Sequence, residues 1–325
     1  MRRTPHSTPD ITVAEGYHVP VLLQETLDAL DIKPDGVYVD CTFGGGGHSK
    51  AIVERLSSKG LLIAIDQDED AIRNIPEGEK RILFVHGNFR YLRHYLAYIG
   101  IEKVDGILAD LGVSSHHFDD PDRGFSFRFD APLDMRMNAR QKQTAADLLV
   151  SATEEELALI LKNYGELNQP YRIAKIIKQA IAKGTPLRTV NDLIGILSPS
   201  VFRENDKKNL AKLFQALRIE LNDEMGALQD LLKYSRELLA EDGRIAIITY
   251  HSLEDRPVKN FFRYGNMEGT REVDMYGNVI SSMCSLFKKA VVPSAEEINR
   301  NPRSRSAKLR VGVSNPNIES VSDSI

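Results

Sequence analysis

At 325 residues, 42% hydrophobic and 27% charged, the chain has the composition of a folded protein of one large domain or two smaller ones, which excludes global disorder. A formal net charge of −4 argues against a chain-wide nucleic-acid surface, so any such contact has to come from local basic clusters. No apolar run reaches the roughly 20 residues of a membrane span, and two cysteines, Cys41 and Cys284, exclude a disulfide framework or a cysteine zinc site and fit a reducing cytoplasm.

Residues 1–17 carry arginines without an apolar signal core and are expected to be a flexible tail. Leu22, Leu23, Leu27 and Leu30 then fall on one face of a helix, and Pro34-Asp35-Gly36 makes a turn. The β-branched run at Val37 and Val39 predicts a buried strand. It ends in Asp40-Cys41-Thr42-Phe43 and four glycines, Gly44 to Gly47, and a helix follows over Ser49–Leu56. Strand, glycine turn and helix start form the first unit of a nucleoside-binding α/β sheet. The glycines allow positive φ and close approach of a ligand, and the helix start offers unpaired N–H groups. The plain alternative is a tight turn that binds nothing. Cys41 reads as a small buried residue.

A second strand, Leu61–Ile65, ends in Asp66, about 20 residues past the glycines, where a ribose-binding carboxylate belongs. No third glycine stands at the helix-packing position, which counts against a nicotinamide fingerprint. A helix is expected from Asp70, closed by Pro76 and Gly78. The third strand, Ile82–Val85, leads to Phe89, read either as a ring stacked on adenine or as a core aromatic opening the next helix. The fourth, Val104–Ala109, delivers Asp110-Leu111-Gly112-Val113-Ser114-Ser115. Polar groups at that strand end face the ligand, which makes Asp110 the best-placed carboxylate; a buried aspartate capping a turn is the alternative. Alternating strands and helices imply a mostly parallel sheet.

The alternation then stops. Arg123 to Met137 interleaves aromatics and arginines, so Phe125, Phe127 and Phe129 read either as a platform for a base beside phosphate-binding arginines or as pins of a long loop. From Thr144 onward the patterns are helical, over Ala145–Val150, Glu154–Asn163, Pro170–Lys183, Thr189–Leu197 and Lys207–Leu217, with a capping box at Thr153 and Glu156. This is read as a helical domain inserted into the sheet domain. Its Arg172, Lys175, Lys178, Lys183 and Arg188 form either a basic surface or an ordinary solvated face. Ala216 to Glu224 reads as continued helix, and Leu228–Leu239 as another, stopped by Asp242-Gly243. The strand Arg244–Tyr250 resumes the sheet and ends in His251-Ser252-Leu253-Glu254-Asp255-Arg256. No serine sits in a Gly-x-Ser-x-Gly elbow, so a hydrolase triad is set aside. The densest basic run, Asn299 to Val311, ends in an alternating strand, and part of it is a candidate RNA-facing rim; Ser314–Ile325 is expected to be a second tail.

Four stretches together, Asp40–Ser49, Asp110–Ser115, His251–Arg256 and Asn301-Pro302-Arg303-Ser304-Arg305-Ser306, resemble the MraW (RsmH) family of bacterial 16S rRNA cytosine-N4 methyltransferases. The resemblance runs from His18 to about Val313, and Arg123–Met137 and Phe214–Asn222 also match. It implies an α/β fold, a class I (Rossmann-like) S-adenosylmethionine-dependent methyltransferase sheet built from 18–137 and 214–313, with an all-helical insertion at 138–213 for RNA recognition. It implies S-adenosyl-L-methionine as methyl donor, with S-adenosyl-L-homocysteine as product and no metal. The substrate would be the N4 amine of a cytidine in the 16S rRNA of the small ribosomal subunit, at a cytoplasmic site with no membrane partner; a homodimer is left open. By matching position, the donor would be held by Gly46, Gly47, His48, Asp66, Phe89, Asp110 and His117. The chain departs from the family pattern at Gly165-Glu166-Leu167-Asn168-Gln169 and at Lys212-Leu213, which concerns the insertion's RNA contacts.

The chemistry asks little of the protein beyond placement. A sulfonium donor is already activated, so neither metal nor covalent intermediate is needed, but the cytosine amine is delocalised into its ring and is a poor nucleophile. Asp110 is the expected catalytic group, accepting a hydrogen bond from that amine, while positioning supplies about 7–11 kcal/mol. The base has to be unpaired or flipped to reach the crevice. An N-methyltransferase for DNA or protein is the alternative enzyme, and a donor-binding assembly factor without activity is the alternative from another class.

Overall fold

The apolar runs pair into one seven-stranded sheet. The computed structural model describes residues 20–113, 122–198, 206–276, 279–281 and 283–314. Its strands are β1 (Val37–Asp40), β2 (Leu61–Asp66), β3 (Ile82–His86), β4 (Val104–Asp110), β5 (Leu239–Thr249), β6 (Met283–Ser285) and β7 (Lys308–Ser314), in the order β3-β2-β1-β4-β5-β7-β6. The first five are parallel, and β7 runs antiparallel between β5 and β6. The order reverses beside β1, so a crevice opens at the carboxyl ends of β1 and β4, where doubly wound sheets bind ligands. The parallel strands reach that edge on Asp40, Asp66, His86, Asp110 and Thr249.

The near-continuous apolar character of these strands follows from burial on both faces. Val39, Ile63, Ile107 and Ile245 point to one side, against α3 (Leu92–Tyr98), α9 (Glu224–Leu238) and α10 (Ser252–Tyr264). Tyr38, Leu62, Leu108 and Ala246 point to the other, against α1 (Leu23–Leu30) and α2 (Gly47–Arg55). Each fully buried leucine or isoleucine contributes about 1.5–3 kcal/mol of transfer free energy.

Between β4 and β5 the chain builds α4 (Ala145–Ser151), α5 (Glu154–Asn163), α6 (Pro170–Ala182), α7 (Val190–Leu197) and α8 (Lys207–Leu221) around an apolar cluster of their own. Capping boxes start α4 at Thr144, α5 at Thr153 and α7 at Thr189. Lys178 closes the other end of α4: its Nζ donates to the carbonyls of Leu149 (3.1 Å), Val150 (2.9 Å) and Ala152. This lysine is a helix cap, not part of a free basic surface.

The helical core reaches past 138–213 on both sides, because it contains Phe125, Leu133, Met135 and Met137 as well as Phe214, Leu217 and Leu221. Backbone bonds tie that loop to the start of α7, with the Leu133 N–H on Arg188 O and the Val190 N–H on Ala131 O. Asn222 fastens it to the end of α8. Its Oδ1 accepts the Met137 N–H (2.8 Å), and its Nδ2 donates to Met135 O and Arg218 O (2.9 Å each). Asn222→Ala leaves the Met137 N–H and Met135 O without this partner and is expected to cost about 2–4 kcal/mol, read as a lowered urea midpoint. The two departures from the family pattern also meet, since Lys212 Nζ donates to Glu166 O at 2.9 Å.

Other differences have local causes. Asp223, at φ 48°, breaks the helix expected through Ala216–Glu224. A 3₁₀ turn over Glu69–Asn74 replaces the helix expected from Asp70. Asp242-Gly243 stops no element: Asp242 takes φ 59° within the long β5, whose pairing with β4 shifts register between Val104 and Gly106. Ser314 is not tail, being buried at the end of β7 and paired with Met283. The remaining tail residues, 1–17 and 315–325, lie outside the described residues. Among the described residues no helix is long and apolar enough to cross a membrane.

Candidate active site

The glycine turn is shaped by backbone needs and by carboxylates. Gly44 and Gly46 take φ of 50° and 73°, a region that penalises any Cβ. Gly46 is the N-cap of α2 and no side chain caps that end. At Gly47 the reason is space, because a Cβ there would lie 2.3 Å from Pro20 Cγ. Asp66 holds the turn from the neighbouring strand: Oδ2 accepts the Gly44 N–H (2.7 Å) and Oδ1 the Asp68 N–H (2.8 Å). Each carboxylate oxygen has a second lone pair, so Asp66 can also accept from a diol.

Asp40, at the end of β1, is fully buried and bolts the turn to α2. Ser49 Oγ donates to its Oδ2 at 2.7 Å and the Thr42 N–H to its Oδ1 at 3.0 Å. Burial raises its pKa to about 6 despite those bonds. Thr42 continues the chain of contacts, its Oγ1 accepting the Asp110 N–H at 2.7 Å.

Asp110 sits where the sequence put it, at the end of β4, with its side chain 24% exposed. The Tyr250 hydroxyl donates to Asp110 Oδ1 at 2.8 Å. Its Oδ2 faces His48 Nδ1 at 3.8 Å, beyond hydrogen-bonding range. Burial raises the Asp110 pKa to about 6, with Asp40 and Glu254 adding to the rise while the Tyr250 hydroxyl, and His48 when it carries a charge, oppose it. His48 is buried, and desolvation lowers its pKa, so the ring is neutral near pH 7. Its Nε2 lies 3.0 Å from Val21 O. A carbonyl only accepts, so Nε2 carries the proton and Nδ1 turns a lone pair toward Asp110.

The sequence marks Glu254 only as one of the polar residues of His251–Arg256, and Tyr250 only as the end of a strand. Glu254 is buried on α10, where its Oε2 accepts the Tyr250 N–H (2.9 Å) and its Oε1 lies 3.1 Å from His251 Nε2. Burial works to raise its pKa, but His251, the Tyr250 N–H and Arg218 together hold it below the ordinary value. The motif His251–Arg256 is therefore a brace under Tyr250. Asp255 pins the incoming β7 through Arg310 (2.7 Å) and Lys308 (3.3 Å).

Gly46, Gly47, His48, Asp66 and Asp110 converge on this crevice; His117 lies outside the described residues. Phe89 follows β3 at the same edge, and its ring is buried in the cluster with Ile65 and Leu92, as a core aromatic would be. Phe125 is buried in the helical core, and Phe127 packs edge-on against Phe214 with centroids 5.7 Å apart, so both pin the loop. Phe129, 51% exposed, is left as the candidate for base stacking.

The sequence profile described as the MraW methylase family matches residues 15–314. The ribosomal RNA small subunit methyltransferase H of Parabacteroides distasonis is 53% identical over 91% of this chain and 96% of its own length. The protein of the same name from Bacteroides thetaiotaomicron is 54% identical over the same shares. Among solved structures, a putative rRNA-methylase from Clostridium thermocellum overlaps 92% of this chain and all of its own at 13% identity, with a TM-score of 0.38. That last likeness is too loose to add to the strand order.

Proposed function

Because the chain belongs to the MraW methylase family, we propose that it methylates the N4 amine of a cytidine in the 16S rRNA of the small ribosomal subunit, using S-adenosylmethionine. That it is an S-adenosylmethionine-dependent rRNA methyltransferase follows from the family and its relatives. The amine as target rests on one observation: Asp110 presents a carboxylate oxygen, Oδ2, that no donor of the described residues reaches, at the edge of the switch-point crevice.

The residues fit the donor. Gly46 at positive φ, Gly47 where a Cβ has no room, and the uncapped start of α2 leave main-chain N–H groups open to a carboxylate or hydroxyl. Asp66 suits a ribose diol. When bound, S-adenosylmethionine supplies an electrophilic methyl group. Asp110 Oδ2 accepts one N–H of the cytosine amine, which turns the nitrogen lone pair out of conjugation and orients it. After transfer the alkylated nitrogen is strongly acidic, so its proton leaves to Asp110 Oδ2 or to water without a strong base. Phe129 and the exposed Arg305 of the Pro302–Ser306 turn are the proposed contacts for the base and its phosphates.

Incubation with labelled donor and small subunits, naked 16S rRNA, DNA or ribosomal protein, followed by nucleoside mass analysis, tests this. The expected product is N4-methylated cytidine in the rRNA alone. Label in DNA or protein, a different methylated nucleoside, or donor binding with no transfer to any of them would each sink the reading.

A further inference from the structure

Asp110 has two carboxylate oxygens, and the structure treats them differently. Oδ1 is taken by the Tyr250 hydroxyl at 2.8 Å. Among the described residues Oδ2 faces only the Nδ1 of His48, 3.8 Å away. His48 Nε2 is tied to Val21 O, so the histidine offers Oδ2 a lone pair and not a proton. Among the described residues nothing therefore competes with an incoming N–H at Oδ2, while Oδ1 is occupied.

Tyr250 is held for this. Its N–H is bonded to Glu254 Oε2, and Glu254 is buried at the start of α10. Gly112, on the turn after β4, adopts φ 101°, and a Cβ built there would contact the Tyr250 ring at 3.5 Å. The turn that carries Asp110 onward thus runs beside the ring, and the helix that follows its own strand holds the Tyr250 backbone. Burial and Asp110 keep the hydroxyl protonated, so it serves as a donor at any working pH.

We infer that Tyr250 is a positioning residue for methyl transfer, fixing the Asp110 carboxylate through Oδ1 so that Oδ2 alone is presented to the acceptor amine. This rests on the assignment of Asp110 as the group that grips the amine. The groups around Asp110 are His48 from α2, Asp40 from β1, Tyr250 beyond β5 and Glu254 from α10. The two anions disfavour its ionised form, and the Tyr250 hydroxyl supports it. Removal of that hydroxyl therefore moves the protonation of Asp110 to higher pH, where the carboxylate has to remain ionised to accept the amine hydrogen.

The test compares Tyr250→Phe, the same chain with 3-fluorotyrosine at position 250, and Asp110→Asn. Single-turnover transfer to small subunits is followed from pH 5 to 9, with donor affinity measured by calorimetry. Tyr250→Phe is expected to lower the transfer rate by about 10- to 100-fold, as for one hydrogen bond to a charged group. Donor affinity should stay the same and the acid limb should move to higher pH. The more acidic fluorinated hydroxyl, a stronger donor, should move that limb to lower pH. A wild-type profile in Tyr250→Phe beside an inactive Asp110→Asn would overturn the inference and leave the function standing, as would a loss confined to donor affinity. Full activity in Asp110→Asn would remove the assignment beneath it.

Discussion

Asp110→Asn should abolish most methyl transfer while making the protein without its donor harder to unfold. The two effects have one origin. Asparagine keeps the shape and keeps an oxygen for the Tyr250 hydroxyl, so its amide is oriented by the same bond that orients the carboxylate. The NH₂ then takes the place of Oδ2, next to the lone pair of His48 Nδ1. An N–H donor would face the amine, which also offers N–H, and the contact changes from attractive to repulsive. Loss of one preorganised group of this kind lowers turnover by about 10²–10³-fold.

The stability gain follows from the raised pKa. Asp110 binds its proton more tightly in the folded chain, up to about 6, than the free side chain does, mainly because of burial. Below both pKa values the carboxyl is neutral in either state and costs nothing. As pH rises the unfolded chain ionises first, so the folded state is penalised progressively until the folded pKa is passed, and by a constant amount above it. With the side chain 24% exposed, the penalty is at most about 3 kcal/mol for two units. Asp110→Asn should therefore melt higher than the parent at pH 8, and the difference should fade between about pH 6 and pH 4. Thermal unfolding of both proteins across that range checks it; a variant less stable than the parent at pH 8 would mean the carboxylate is held by attraction, not tolerated for its chemistry.

Such costs explain which parts of the molecule could be read from its sequence. Strand runs such as Leu61–Ile65 declare themselves because both faces are buried, and the first polar residue after each run, Asp40, Asp66 or Asp110, lands at the crevice by the geometry of a parallel sheet. What lies one turn further is invisible. Tyr250 follows β5 as any tyrosine might, and only the fold brings its hydroxyl to Asp110 across the sheet edge. The helix α10 carries Pro257 inside it, so its sequence announces the end of a strand and not the start of a helix. Phe125, Phe127 and Phe129 have the same spacing and chemistry, yet one is buried, one meets Phe214 and one is exposed, since their partners come from helices distant in the chain. Lys178 looks like any surface cation until the end of α4 is placed beneath it.

Asp66→Ala is expected to weaken donor binding strongly, and for two reasons that can be separated. The carboxylate accepts the N–H groups of Gly44 and Asp68, so without it the glycine turn loses its anchor to β2. It also supplies the acceptors for a ribose diol at the end of that strand. Each hydrogen bond to a charged group is worth about 1.5–3 kcal/mol, so loss of both ribose contacts weakens the donor by about 100-fold or more. The anchoring part alone costs fold stability, about 1–2 kcal/mol for two half-buried N–H groups returned to water. Asp66→Asn distinguishes the parts. Its amide oxygen can accept only one of the two N–H groups while its NH₂ opposes the other, so the turn is disturbed as much as by alanine, yet the amide still bonds a hydroxyl. Calorimetric titration with S-adenosylhomocysteine should then rank affinity as parent, asparagine, alanine, with both variants melting lower than the parent when free. Equal affinity in all three would mean that the carboxylate only shapes the turn, and that the ribose is held from another strand end.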